Sequence, residues 1–98
     1  MAIMIVSGVE KGSLTARAMT ERSGTLVRFK AKATNTGYFY IGGAGVTAPG
    51  AVTDQVSGFE LGAGEESPWI PLPHGLDDLY LISTVAADLL TYILVQGS

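Results

Sequence analysis

Thr25-Leu26-Val27-Arg28-Phe29-Lys30-Ala31-Lys32 alternates, placing Val27, Phe29 and Ala31 on one face and Leu26, Arg28, Lys30 and Lys32 on the other. The pattern predicts a half-buried strand. Asn35-Thr36-Gly37 follows with turn chemistry, since Asn and Gly tolerate positive φ. Tyr38-Phe39-Tyr40-Ile41 comes next, with aromatic and β-branched side chains that suit a pleated surface. The two runs predict a β-hairpin.

Moving outward, thirteen glycines and four prolines are spread along the chain and cut it into strand-length pieces. Gly42-Gly43-Ala44-Gly45-Val46-Thr47-Ala48-Pro49-Gly50 has almost no large side chains and reads as a loop or a bulged strand. Phe59 and Leu61 alternate around Glu60 as a short strand, and Trp69-Ile70, bracketed by Pro68 and Pro71, belongs at a sheet edge or strand start. Leu79-Tyr80-Leu81-Ile82 and residues 89–95 read as two apolar strands, paired through a turn at Ala86-Ala87-Asp88. Residues 3–6 and 13–19 add two more. A helix over residues 77–90, capped by Asp77 or Asp78, is the competing reading for that stretch. The expected fold is all-β: a small antiparallel β-sandwich or jelly-roll-like domain of about seven to eight short strands. Residues 1–98 form one domain, with residues 1–10 as an N-terminal edge strand or arm.

Composition narrows the function. Ninety-eight residues supply one core and not two, because a chain this size buries only about two-thirds of its unfolded surface. Six basic against nine acidic residues give a net charge of −3, with no basic run to neutralise a row of phosphates, so nucleic acid is not an expected partner. There is no cysteine and one histidine, which excludes disulfide scaffolds, thiolate zinc sites, Cys nucleophiles and His-rich metal cages. The apolar start Met1-Ala2-Ile3-Met4-Ile5-Val6 lacks a positive n-region and stops at Ser7-Gly8, too short for a signal peptide. No apolar stretch approaches the roughly 20 residues a spanning helix needs, so no membrane partner is expected.

Reactive constellations are weak. Gly42-Gly43-Ala44-Gly45 lacks the following helix and Lys of a phosphate-cradling loop. Glu65-Glu66 and Asp77-Asp78 match no calcium loop and read as solvated loop charges. His74, in Pro71-Leu72-Pro73-His74-Gly75, has Ser67 and Asp77 nearby in sequence but no nucleophile elbow. No catalytic residue, metal ligand or cofactor is expected, and a small hydrolase using His74 is the least favoured reading.

Aromatic residues carry more information. Tyr38, Tyr40, Trp69 and Tyr80 suit either a subunit contact or a sugar-stacking platform, and Tyr38 and Tyr40 share one face if their strand is regular. Charged residues make up only 15% of the chain against roughly 25% in ordinary soluble domains, so exposed apolar patches, and hence assembly, are expected. An apolar N-terminal strand carrying Ile3 and Ile5 is expected at a sheet edge, where pairing with a neighbouring subunit would shield it.

The run from Asn35 through Tyr38-Phe39-Tyr40-Ile41-Gly42-Gly43-Ala44-Gly45-Val46-Thr47, then Gly58-Phe59-Glu60-Leu61-Gly62-Ala63-Gly64-Glu65, then Leu79-Tyr80-Leu81-Ile82, resembles a pattern of small tailed-phage virion proteins. The similarity spans residues 27–95. It implies a head decoration (cement) protein or an appendage-base subunit, located on the outer capsid surface, with the major capsid protein as partner and a homo-oligomer (dimer or trimer) as its state. The loops at residues 48–57 and 68–76 depart from the shortest form of the pattern. Partner-binding residues are expected to be Tyr38, Tyr40, Trp69, Ile3, Ile5, Val52 and Gln55. The alternative is a carbohydrate-binding module in which the tyrosines and Trp69 stack on sugar rings while Glu65 or Asp77 bonds hydroxyls.

Overall fold

A computed structural model describes residues 3–46 and 59–97. Among the described residues eight strands follow one another: β1 (Ile3–Lys11), β2 (Arg17–Ala18), β3 (Leu26–Ala31), β4 (Phe39–Gly42), β5 (Phe59–Leu61), β6 (Ile70–Pro71), β7 (Tyr80–Ser83) and β8 (Leu89–Gly97). They form two four-stranded sheets, a front sheet ordered β1-β8-β3-β6 and a back sheet ordered β2-β7-β4-β5. The pairing is antiparallel and nested: β4 with β5, β3 with β6, β2 with β7 and β1 with β8. One long hairpin rolled into two layers gives this order, which is the jelly-roll arrangement. The only helical element among the described residues is a single 3-10 turn at Leu76–Asp78, so the helix weighed for residues 77–90 does not form.

Both expected hairpins are instead crossings between sheets. β3 pairs with β8 and β6 at the front, while β4 pairs with β5 and β7 at the back. Likewise β7 belongs to the back sheet and β8 to the front, so residues 79–82 and 89–95 do not pair. Side chains from each crossing hold the other. Asn35 Nδ2 donates to the Leu89 carbonyl at 2.8 Å, and the Leu89 amide donates back to Asn35 Oδ1 at 3.0 Å. The Asp88 carboxylate accepts the Thr36 amide at 3.1 Å and the buried Gly37 amide at 2.8 Å. Gly37 is required by space: a Cβ there would strike the Thr84 hydroxyl and Val85.

The strand expected over residues 13–19 shrinks to Arg17–Ala18, because its backbone is engaged elsewhere. Ser13 exchanges bonds with Ser83, donating its amide to the Ser83 hydroxyl at 2.8 Å and accepting the Ser83 amide at 2.7 Å. Glu10, only 2% exposed, accepts Arg17 Nη1 at 3.0 Å and the Thr20 amide at 2.8 Å, and so binds the excursion after β1 to the strand it left.

The core lies between the layers. Val27, Phe29 and Ala31 of β3 and Leu90, Tyr92 and Leu94 of β8 meet Phe39, Ile41, Leu61 and Leu81 from the back sheet. Phe29 and Tyr92 pack edge to face with ring centroids 6.2 Å apart. Burying a side chain such as Phe29, which is fully enclosed, contributes about 1.5–3 kcal/mol. Beside it, the buried Ser67 hydroxyl accepts the Phe29 amide at 2.8 Å and donates to the Pro68 carbonyl at 2.8 Å, completing the ladder at an edge where Pro68 has no amide.

Candidate functional site: the outer face of the front sheet

The alternation that buries Phe29 sends its neighbours outward. In register across the front sheet lie Ile5, Val95, Leu26 and Pro71, then Ser7, Ile93 and Arg28, then Val9, Thr91 and Lys30. Ile5 is 70% exposed, Val9 56% and Ile93 44%, a contiguous apolar strip open to solvent. Trp69 is half-exposed and immediately precedes Ile70 of β6, the edge strand beyond β3, whose side chain packs on the core. A groove of about 580 Å³ runs over the same surface, between Val9, Ile93, Thr91, Lys30 and Glu66.

This face has its own electrostatics. Lys11, Arg28, Lys30 and Lys32 against Glu66 leave it at +3 (four positive, one negative), while the whole chain carries −3. The Arg28 guanidinium is shared between Glu66 Oε1 at 2.7 Å and the Ser67 carbonyl at 3.0 Å, which aims it along the groove floor. Both partners of that ion pair are nearly half exposed, so it orients Arg28 more than it stabilises the fold.

The back sheet is finished differently. On its outer side Tyr40, Val46 and Ile82 form a second buried cluster, with Tyr80 packed against it. Tyr40 is 3% exposed and its hydroxyl donates to Glu60 Oε2 at 2.7 Å. Burial, followed by the bond to Glu60 and its charge, pushes the Tyr40 hydroxyl far above the ordinary phenol range. Tyr38 is exposed, its ring over Gly62 beside a shallow recess of about 270 Å³ that Thr36 and Glu65 also line.

Of the residues expected at a partner surface, the structure leaves Ile5 exposed on the β1 edge of the front sheet and Trp69 half-exposed just before β6 at the opposite edge, with Tyr38 at the crossing and Tyr40 inside the back-sheet cluster. Trp69 borders the front sheet and Tyr40 lies in the back one, so the two share no platform. Val52 and Gln55 lie outside the described residues, as does the side chain of Ile3. The basic character of the front face went unread in the sequence, although Arg28 and Lys30 were already on one side of β3. What was missing was β8, which brings Val9 and Lys11 of β1 alongside them.

Elsewhere the titratable groups do local structural work. His74 is almost fully exposed, with Nδ1 at 3.5 Å from Asp78. Asp78 Oδ2 accepts the His74 amide at 2.8 Å and the Gly75 amide at 3.1 Å, and these bonds, Gly75's foremost, hold its carboxyl below the usual range. Among the described residues no three His, Cys, Asp or Glu side chains gather as metal ligands, and no helix is long and apolar enough to cross a membrane. Comparison with protein-family models, curated proteins and solved structures finds no match for this chain.

Proposed function

We propose that the protein is a bacteriophage virion structural protein, a capsid decoration (cement) protein that docks on the outer surface of the major capsid protein lattice through the outer face of its front sheet. The observation that carries the reading is the contrast between the two outer faces: one is closed over by its own apolar cluster, the other is open, apolar and basic on an acidic molecule. An apolar strip flanked by lysine and arginine suits an acidic protein surface that desolvates its centre and leaves the charges at the rim. Jelly rolls occur in viral capsid and lectin domains alike, and fold alone assigns neither role. The aromatic-Ile-Gly-Gly and Gly-aromatic-x-Leu runs in the sequence favour the virion.

The mechanism is mechanical. A ligand that binds only the assembled, expanded lattice stabilises that state by mass action, and many weak copies on a symmetric shell act together. Cosedimentation with expanded capsids tests it: the wild type should occupy the lattice, and Lys30→Glu or Ile93→Asp should lower occupancy while leaving the fold intact by circular dichroism. Unchanged occupancy for both substitutions means that this face does not dock.

A further inference from the structure

Four strands end the two sheets, and three of them are stubs. β2 and β6 have two residues each, β6 includes Pro71, and β5 has three. Short and proline-bearing edges are the usual protection against edge-to-edge pairing. β1, with nine residues and no proline, has neither defence. Between Ile3 and Val9 it carries no charge, and Met4 and Ile5, on opposite faces of the strand, are 58% and 70% exposed.

The ladder identifies which backbone groups of β1 have no partner among the described residues. Lys32 donates to the Leu89 carbonyl on the β3 side of β8, and Gly12 donates to the Asp88 carbonyl on the β1 side. Antiparallel ladders alternate, so odd-numbered residues of β8 bond to β3 and even-numbered ones to β1. In register, Met4, Val6, Gly8 and Glu10 therefore bond to β8, while Ile3, Ile5, Ser7 and Val9 point their N–H and C=O groups away from the sheet. The next such residue, Lys11, has its carbonyl bonded by Arg17 Nη2. The open edge thus runs over the uncharged part of the strand and stops where the charges begin.

We propose that this edge is a homodimer interface, in which β1 pairs antiparallel with β1 of a second copy about a two-fold axis, with Val6 opposite Val6. The occupant must be neutral and apolar on both faces over the length of the edge, since a charge facing Met4 or Ile5 would be desolvated without a partner. β1 of a second copy meets that requirement residue for residue, and an isologous contact closes at two subunits. The register follows from the free groups. Odd residues must oppose odd residues, and this alignment sets Ile3 against Val9 and Ile5 against Ser7, pairing every free group. A shift toward the C-terminus would oppose Ile3 with Lys11, whose carbonyl is already taken. The product is one continuous eight-stranded sheet with the two apolar, basic outer faces side by side. It stands whether or not a capsid is the docking partner, because it concerns the free protein.

Sedimentation of the purified protein over a dilution series should show a monomer–dimer equilibrium. Ser7→Pro removes an outward N–H without touching the β8 ladder and should shift the protein to monomer, with the melting temperature that the wild type shows at dilutions where it is itself monomeric; Ile5→Lys should do the same by charging the edge. The chain has no cysteine, so single Cys variants report register. Val6→Cys should form an intermolecular disulfide on mild oxidation, because facing non-hydrogen-bonded residues lie about 4.5 Å apart at Cα. Met4→Cys should not, because it faces Gly8. A monomer at every concentration, a trimer, a dimer that survives Ile5→Lys, or cross-linking at Met4 but not at Val6 overturns the proposal.

Discussion

Replacing Asp88 by alanine removes the carboxylate that holds the two sheet crossings together. The Gly37 amide is buried and left without an acceptor, which costs about 1–3 kcal/mol. The Thr36 amide lies nearer solvent, where water replaces the lost bond for about 1 kcal/mol or less. Together the loss is about 1–4 kcal/mol, a large share of the roughly 5–15 kcal/mol that stabilises a domain. At about 4–8 °C per kcal/mol for a chain this size, the melting temperature should fall by about 4–30 °C. Urea unfolding followed by circular dichroism measures the same loss as a lower midpoint at unchanged slope. Asn35→Ala removes the reciprocal pair to Leu89 and should cost a similar amount, and because both side chains tie the same two crossings to each other, the double variant should lose less than the sum. A loss below about 0.5 kcal/mol for Asp88→Ala, or full additivity with Asn35→Ala, refutes the idea that these residues act as one clasp.

Alkaline pH should weaken the fold through its buried phenols. Tyr40 and Tyr92 both have raised pKa values, chiefly from burial, so their stabilising contribution is complete below the unfolded tyrosine value near about 10 and is lost as pH rises beyond it. Tyr40→Phe should flatten that decline, and a wild type whose tyrosines all ionise near 10 by ultraviolet titration, with the fold intact, contradicts the burial argument. Acid acts on Asp78 with the opposite sign: its lowered pKa stabilises the turn above the ordinary carboxylate range and ceases to do so as pH falls through the folded value, so Asp78→Asn should remove part of the acid dependence of the urea midpoint. Gly8→Ala should destabilise by about 1–3 kcal/mol, since its Cβ would fall on the Tyr92 ring and hydroxyl, and Tyr92→Phe should relieve only part of this; a neutral Gly8→Ala shows that the ring yields freely.

Strand identity was legible wherever burial is one-sided. Val27, Phe29 and Ala31 announced β3, the prolines around Trp69 announced an edge, and the sandwich followed from the spacing of turns. Strand pairing was not legible at the crossings. Asn35-Thr36-Gly37 and Ala86-Ala87-Asp88 signal a reversal of the chain, but whether the next strand returns to the same sheet depends on bonds between the two turns, more than fifty residues apart in sequence. Tyr40 shows the same limit at the site: period two puts it on the outer side correctly, yet its burial comes from Val46 and Ile82, which only the folded sheet brings above it. Nothing in the sequence singles out Glu10, because Arg17 and the Thr20 amide that enclose it come to it only in the fold.

The nested order of the strands also dictates a schedule. As the chain leaves the ribosome, β4 and β5 are the first partners to coexist, and each outer pair waits for a later segment. β1 emerges first and is matched last, because β8, the strand between it and β3, is the last of the eight to be translated. From its own synthesis until that of β8, the uncharged stretch from Ile3 to Val9 therefore hangs without its mate, and in a polysome many such stretches hang close together. Nascent chains of this protein should depend on holding factors, or on a slowed start to translation, more than the small size of the finished domain suggests.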